Sequence, residues 1–444
     1  MRYIDSLNLK SDIECFILIE PGLGYLVPAL REKFKTSKII ALHAGSFPPH
    51  EGVPALCGAD CEAVQKFLEK EIPEIDAGRI RIIEWRPSMN YYGEDYVKLL
   101  SATVEFIKRL DAGSRTVEVF GRRWVRNFFR NLTNVQRAVL YSQMEIPVIV
   151  TGSGPSLETA LPVIRNMQDS CLIIAASSSI MALSAGGVTA DIVIATDGGP
   201  WALRHIYSYY RNASRKTAAL AVNLCAALPS QCSSTPQLII NDGSFWQSIV
   251  LHELALPSVV IPQRGTVTAV AVELAMLLSR GNIYLAGMDL CVSDIRTHAR
   301  PYAFDSIFFG GANRLTPFYS EAFTRSRAIQ EGASMNIYAG WFKKELASWP
   351  KRIFLLGSGH KVFESALPPE KAALKNTDEY FKTVSAGEEP ALFAKRAASA
   401  LLAAMKNGEF AENLKQELTP LLFAGEKKTT EQELERAIIK IACL

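Results

Sequence analysis

VIVTGSGPSLETAL, residues 148–161, decides the fold. A β-branched run breaks into a glycine loop and then into helix-compatible residues, which is a strand-loop-helix unit of an α/β protein. Gly152 and Gly154 can take positive φ and turn backbone N–H groups toward a ligand, and Pro155 suits the first helical turn because its missing N–H costs nothing there. The positive end of that helix then suits an anion, with phosphate the expected occupant. The lysine of an ATP-binding loop is missing, and Ser153 and Ser156 are neutral donors, so a modest negative charge fits better than a triphosphate. The alternative is a tight turn that binds nothing.

Two further stretches share the design of an apolar run followed by G-x-G: CFILIEPGLGY (15–25) and RIFLLGSGHKVF (352–363). Around the first, KIIALHA (38–44) and RIRIIEW (79–85) predict a small Rossmann-like α/β domain over 1–120. From 147 onward, strand candidates PVIVT, CLIIAAS, DIVIAT, TAALAV, QLIIN, SVVI and NIYLAG alternate with helix-compatible stretches. They are apolar without clean alternation, which predicts a doubly wound parallel sheet covered on both faces in a central catalytic domain, 121–365. Residues 300–320 read as a long irregular loop. Beyond Pro368 and Pro369 the composition shifts to Ala, Lys, Glu and Leu with no strand signal, predicting a helical C-terminal domain, 366–444. Within RRWVRNFFRNL (122–132), Val125, Phe128, Phe129 and Leu132 share one helical face while Arg122, Arg126 and Arg130 share another, an amphipathic connector with a basic side. Those arginines could dock an acidic acceptor or another domain, or could form a solvated face.

Composition narrows the function classes. The 444 residues exceed what one core usually serves, and 48% hydrophobic with 21% charged residues excludes the disordered class. No apolar run is long enough for a membrane span, and the polar, acidic N-terminus lacks the pattern of a secretory signal, so a cytoplasmic location is expected. A net charge of +3 gives no argument for nucleic acid. Eight cysteines without a C-x-x-C pair suggest reduced thiols. His43, His50, Cys57 and Cys61 lie close in sequence, yet their spacings match no common zinc module, and no metal is expected.

In an open parallel sheet the ligand lies beyond the carboxyl ends of the strands. Thr151, Gly152 and Ser153 follow one central strand, Ser177 and Ser178 the next, Thr196, Asp197 and Gly198 the third, and Met288 and Asp289 the last. Together they describe a polar crevice. Asp197 and Asp289 could bind Mg²⁺, orient a ribose or sugar hydroxyl, or accept hydrogen bonds from loop amides. His298, about a dozen residues past the last strand, is expected on a loop over the same edge, where its near-neutral unperturbed pKa suits a general base.

The segments VIVTGSGPSLE, CLIIAASSSIMALSAGGVTADIVIATD and GTVTAVAVELAMLLSRGNIYLAGMDLCVSDIRTHA resemble the MptE-like proteins, which include the motility-associated-factor (Maf) flagellin glycosyltransferases, whose central domain is similar to bacterial CMP-sialic acid sialyltransferases. The resemblance is strong over about 150–300 and looser in the flanks. It implies that Gly152, Ser153, Gly154 and Ser156 line the nucleotide phosphate, that Ser177, Ser178 and Asp197 lie near the nucleotide, that Thr266 faces the donor from a helix N-terminus, and that Asp289 supports the loop carrying His298. The implied activity is transfer of a nonulosonic-acid-type sugar from a CMP donor to Ser or Thr hydroxyls of flagellin. The chain has LLGSGHK where such proteins often read N-A-T-E-G-G. No D-x-D is present, which agrees with metal-free departure of a nucleoside monophosphate. The rival activity in this family is a Mg²⁺-dependent, ATP-using diphosphokinase acting on a 6-hydroxymethylpterin, with Asp197 and Asp289 as metal ligands. A third reading is a non-catalytic nucleotide-binding or flagellar assembly module.

Overall fold

The computed structural model describes residues 2–443 apart from 47–49, 73–76, 213–218, 294, 332–333, 370–375, 386–389 and 424–428. It divides into two units, Met1–Val119 and Phe120–Leu444.

In the first unit β1 (Cys15–Ile19), β2 (Lys38–His43), β3 (Ala55–Cys57) and β4 (Ile80–Glu84) form a parallel sheet in the order β3-β2-β1-β4. The strands are apolar at successive positions because both faces are covered. Ile17, Ile19, Ile40 and Leu42 enter one core cluster, and Phe16, Leu18, Ile39 and Ala41 enter another. His43 pairs in register with Cys57, but its side chain is buried with Nδ1 3.4 Å from Glu20, whereas Cys57 and Cys61 are exposed. Among the described residues no group of three or more His, Cys, Asp or Glu side chains is placed to hold a metal.

The second unit is built on β5 (Arg137–Tyr141), β6 (Val148–Thr151), β7 (Leu172–Ala176), β8 (Ile192–Ala195), β9 (Ala219–Asn223), β10 (Gln237–Asn241), β11 (Ser258–Val260), β12 (Ile283–Ala286), β13 (Ile353–Leu356), β14 (Ser365–Ala366) and β15 (Phe381–Ser385). The order is β14-β13-β12-β6-β7-β8-β9-β10-β5-β15, with β11 on β10, and all pairs are parallel except β5 with β15. From β6 the chain walks one way through β7, β8, β9 and β10, then returns to the other side of β6 with β12. The strand order therefore reverses between β6 and β12, the position where open sheets of this class have their crevice.

The apolar runs are explained by two covered faces. Ile149, Ile173, Val193, Val222 and Ile239 point into one cluster with the C-terminal part of the helix Glu94–Leu132. Val148, Ile174, Ile194, Ala221 and Ile240 point into the other, against the helix Val267–Leu278. The helices Pro390–Met405, Gly408–Leu422 and Glu431–Ala442 join the first of these cores through Phe393, Leu401, Leu414 and Ile438, so this region shares its core with the sheet. Burying a side chain of that size contributes about 1.5–3 kcal/mol.

Three expectations need correction. Residues 300–320 are not an irregular loop: Asp305–Gly311 is helical and Phe318–Glu331 begins another helix, because apolar Phe and Ile residues at helical spacing outweigh the glycines. The region after Pro369 does contain a strand, since FKTVS pairs antiparallel with β5; this edge strand, with only Phe381 and Val384 half-buried, has almost no apolar pattern to read. The segment 122–132 is more than a connector. It ends a helix of 39 residues whose Val125, Phe128, Phe129 and Leu132 are fully buried, while Arg122, Arg126 and Arg130 are exposed as the pattern requires. Residues 217 and 218 of the predicted TAALAV strand lie outside the described residues; the strand runs from Ala219.

Candidate functional site

The loop after β6 closes onto the loop after β12. Gly152 N–H donates to Ala286 O at 2.8 Å and Gly154 N–H to Gly287 O at 2.9 Å. Asp289 then accepts from the Ser156 N–H at 3.2 Å and from the Ser156 hydroxyl at 2.7 Å. Its carboxylate thus sits at the start of the helix Leu157–Met167, where the partial positive charge favours an anion. The anion held there is the chain's own side chain, which corrects the expectation of an open phosphate site at Gly152, Gly154 and Ser156.

The glycines are required for close approach, not for unusual backbone angles. Neither Gly152 nor Gly154 has positive φ; Gly287 does, at 67°. A Cβ on Gly152 would lie 2.6 Å from Gly287 O, and one on Gly154 would overlap Asp289 Oδ2 and lie 2.8 Å from Gly287 O. Ser153 remains half-exposed at the rim.

The other strand ends are partly spent in the same way. Thr151 Oγ1 pairs with Ser179 Oγ at 2.9 Å in a buried contact. Ser177 is buried and Ser178 half-exposed in the 3₁₀ turn that follows β7. Asp197 is exposed after β8, with Oδ1 accepting from Gly199 N–H at 2.7 Å. Thr266 caps the helix Val267–Leu278, its hydroxyl accepting from Ala269 N–H at 3.0 Å. The GSGH segment after β13 reaches the same edge, with His360 N–H donating to Met288 O at 2.9 Å.

His298 is carried over the β6 loop by a clamp that sequence did not announce. Ala299 N–H donates to Ser153 O at 2.8 Å. Glu158, in the first turn of the helix Leu157–Met167, accepts from Arg300 N–H and from Arg296 Nη1, each at 2.9 Å. The imidazole is stacked on Tyr302, with centroids 4.1 Å apart and planes at 13°, and its Nδ1 lies 2.9 Å from Thr297 Oγ1. Burial, then the charges of His205 and Arg325, push its pKa down to about 4. The ring is therefore neutral at physiological pH, well below the near-neutral value expected of a surface histidine.

His205 is the residue that sequence reasoning missed. It lies in the first turn of the helix Leu203–Asn212, just past the β8 loop, and packs against Tyr302 and Phe304 at 5.4 and 5.3 Å between centroids. Burial lowers its pKa to about 4 although Asp197 pulls the other way. Among the described residues its buried Nδ1 has no hydrogen-bond partner. Asp197, His205 and His298 thus form one electrostatically coupled row, with no spacing in the sequence to signal it. An open pocket lies beside this row, lined by His298, Tyr302, Arg300, Phe318, Glu321 and Arg325 among others.

Comparisons with known proteins agree with this architecture. Residues 122–294 match the family model described as 6-hydroxymethylpterin diphosphokinase MptE-like. An uncharacterized protein of Treponema pallidum (strain Nichols) is 26% identical over 312 residues, which cover 70% of this chain and 66% of that protein, just under two thirds of its length. The structure of a Maf glycosyltransferase from Magnetospirillum magneticum AMB-1 superposes with a TM-score of 0.55 at 14% identity, covering 97% of this chain and 72% of that one, which establishes likeness of fold. Among the described residues no helix is long and apolar enough to cross a membrane. What the comparisons show is a central region, residues 122–294, that is similar to the MptE-like family.

Proposed function

We propose that this chain is a glycosyltransferase that moves a nonulosonic-acid-type sugar from a CMP-activated donor to serine or threonine hydroxyls of a protein acceptor, with flagellin the acceptor suggested by the family resemblance. The observation that carries the reading is a neutral, largely buried histidine, His298, clamped over the loop after β6 at the point where the strand order reverses. The likeness of fold to a Maf glycosyltransferase supports it.

In the tautomer whose Nδ1–H donates to Thr297 Oγ1, His298 keeps the Nε2 lone pair for the acceptor hydroxyl proton. As that proton moves to Nε2, the hydroxyl oxygen bonds to the anomeric carbon, and the bond from that carbon to the CMP phosphate oxygen breaks. CMP leaves as an oxyanion. Ser153 and Ser178, both half-exposed, are the hydroxyls available to steady it, since the amides of Gly152, Gly154 and Ser156 are already engaged. Asp289 acts by position: it fixes the β6 and β12 loops on which the His298 segment rests. The reaction needs no metal, and it takes place in the cytoplasm.

The second reading is the Mg²⁺-dependent diphosphokinase, favoured by the description of the matched family model. It needs Asp197 and Asp289 as metal ligands, yet Asp289 is bonded to Ser156 and Asp197 to Gly199 N–H. Calorimetric titration of the purified chain with CMP, a CMP-sugar and ATP, each with and without Mg²⁺, separates the two. Metal-independent binding of CMP and the CMP-sugar is expected. Binding of ATP alone, and only with Mg²⁺, would replace the transferase reading with the kinase.

A further inference from the structure

Among the described residues, the guanidinium groups of two half-buried arginines in the pocket beside His298 lack a protein acceptor. Arg325 Cζ lies 3.3 Å from the centre of the Phe308 ring, and Arg300 Cζ lies 5.1 Å from that of Phe318. Both line the pocket with His298 and Tyr302. Among the described residues neither guanidinium donates a hydrogen bond or makes an ion pair. Three other half-buried arginines in this unit are satisfied: Arg296 pairs with Glu158 at 2.9 Å, Arg264 with Glu273 at 2.7 Å, and Arg352 donates to Gly281 O and Met276 O, whereas among the described residues Arg123 meets only the Phe120 ring.

An arginine carries five N–H donors, and a partly buried one without an acceptor is costly unless something supplies it. Aromatic contacts steady the planar cations but leave their in-plane donors unspent. The pocket also holds two carboxylates. Asp305 accepts from the Tyr302 N–H at 2.8 Å, and among the described residues Glu321 keeps a buried Oε2 without a hydrogen-bond partner; both carboxylates act electrostatically on Arg325, yet neither hydrogen-bonds Arg300 or Arg325. Two pinned, unpaired guanidiniums beside a neutral histidine match the fork geometry that recognises a carboxylate or phosphate.

We infer that Arg325 and Arg300 form an oxyanion-binding subsite beside His298, which takes a carboxylate or phosphate group of the substrate. The inference rests on the transferase reading for the role of that anion, and on geometry alone for its place. It moves anion recognition from the glycine loop, whose helix end Asp289 fills, to the arginine pocket.

The test is calorimetric titration of the full chain with inorganic pyrophosphate, with N-acetylneuraminate, and with the methyl ester of N-acetylneuraminate as an uncharged control. Wild type is expected to bind one of the two anions and to bind the ester at least tenfold more weakly than the acid if the carboxylate is the group recognised. Arg325→Gln and Arg300→Gln should each weaken anion binding tenfold or more, Arg325→Lys should restore part of it, and Arg296→Gln should weaken it less, because Glu158 already neutralises that charge. Melting curves confirm that each variant is folded. Binding of neither anion by wild type, or wild-type affinity in Arg325→Gln, overturns the subsite. Arginine-dependent anion binding in a protein that transfers sugar from no CMP donor sustains the subsite and removes the transferase reading instead.

Discussion

The Asp289 carboxylate accepts both the backbone N–H and the hydroxyl of Ser156, and so occupies the helix N-terminus that the glycine loop leads into. The loop that looked like a phosphate cradle is a brace between β6 and β12. Asp289→Ala should cost about 2–3 kcal/mol, the scale of leaving buried donors unsatisfied plus a lost helix-end charge. It should also create what the native chain lacks, an open anion site: inorganic phosphate should raise the melting temperature of Asp289→Ala more than that of wild type. Equal stabilisation of both by phosphate would mean that the native loop is open.

Gly154→Ala should destabilise the fold by about 1–3 kcal/mol, since the added methyl overlaps Asp289 Oδ2 and crowds Gly287 O. Chemical denaturation reads this directly. A variant as stable as wild type would show that the two loops are not in contact.

Acid should weaken the fold before carboxylates titrate. His205 and His298 are depressed from 6.5 to about 4, chiefly by burial. Between those values the unfolded chain binds more protons than the folded one, so stability falls as pH drops below 6.5 and flattens near 4; above 6.5 neither histidine contributes. Each supplies at most about 1.4 kcal/mol per pH unit in that window. Denaturation midpoints at pH 6.5 and 5 should differ less in His205→Gln than in wild type. The same pKa moves acid inhibition of transfer by His298 protonation down toward pH 4, whereas a surface histidine would lose activity near 6.5.

The basic face of the helix Glu94–Leu132 should divide by contact. Arg130 donates to Leu228 O at 3.2 Å, so Arg130→Gln should cost about 1 kcal/mol, while Arg122→Gln and Arg126→Gln, both solvated, should change stability by no more than about 0.5 kcal/mol. If the double Arg122→Gln, Arg126→Gln variant binds an acceptor protein more weakly than wild type, the face docks a partner.

The fold was legible where burial dictates sequence. Val148, Ile149 and Val150 had to be apolar in succession because the sheet is covered on both sides, and the same rule gave each central strand to within two residues. Phe381–Ser385 escaped because an edge strand has little to bury. At the site, sequence placed His298 and Asp289 at the right edge but misjudged both environments. Nothing in GSGPS says that a carboxylate 133 residues away returns to fill the helix end. Likewise, only folding brings Tyr302, His205 and Arg325 around His298 and turns a loop histidine into a half-buried neutral one. Short-range pattern reports strands and turns, while long-range packing sets the chemistry of the groups they carry.

The central claim is tested most directly by acceptor-dependent release of CMP from a CMP-nonulosonic acid, measured with wild type and His298→Ala beside each other in the presence of EDTA. The account predicts metal-independent transfer by wild type, and a turnover about a hundredfold lower in His298→Ala with donor affinity nearly unchanged, the usual scale for losing a positioned base. Wild-type turnover in His298→Ala, or activity that vanishes with EDTA and returns with Mg²⁺, would contradict it.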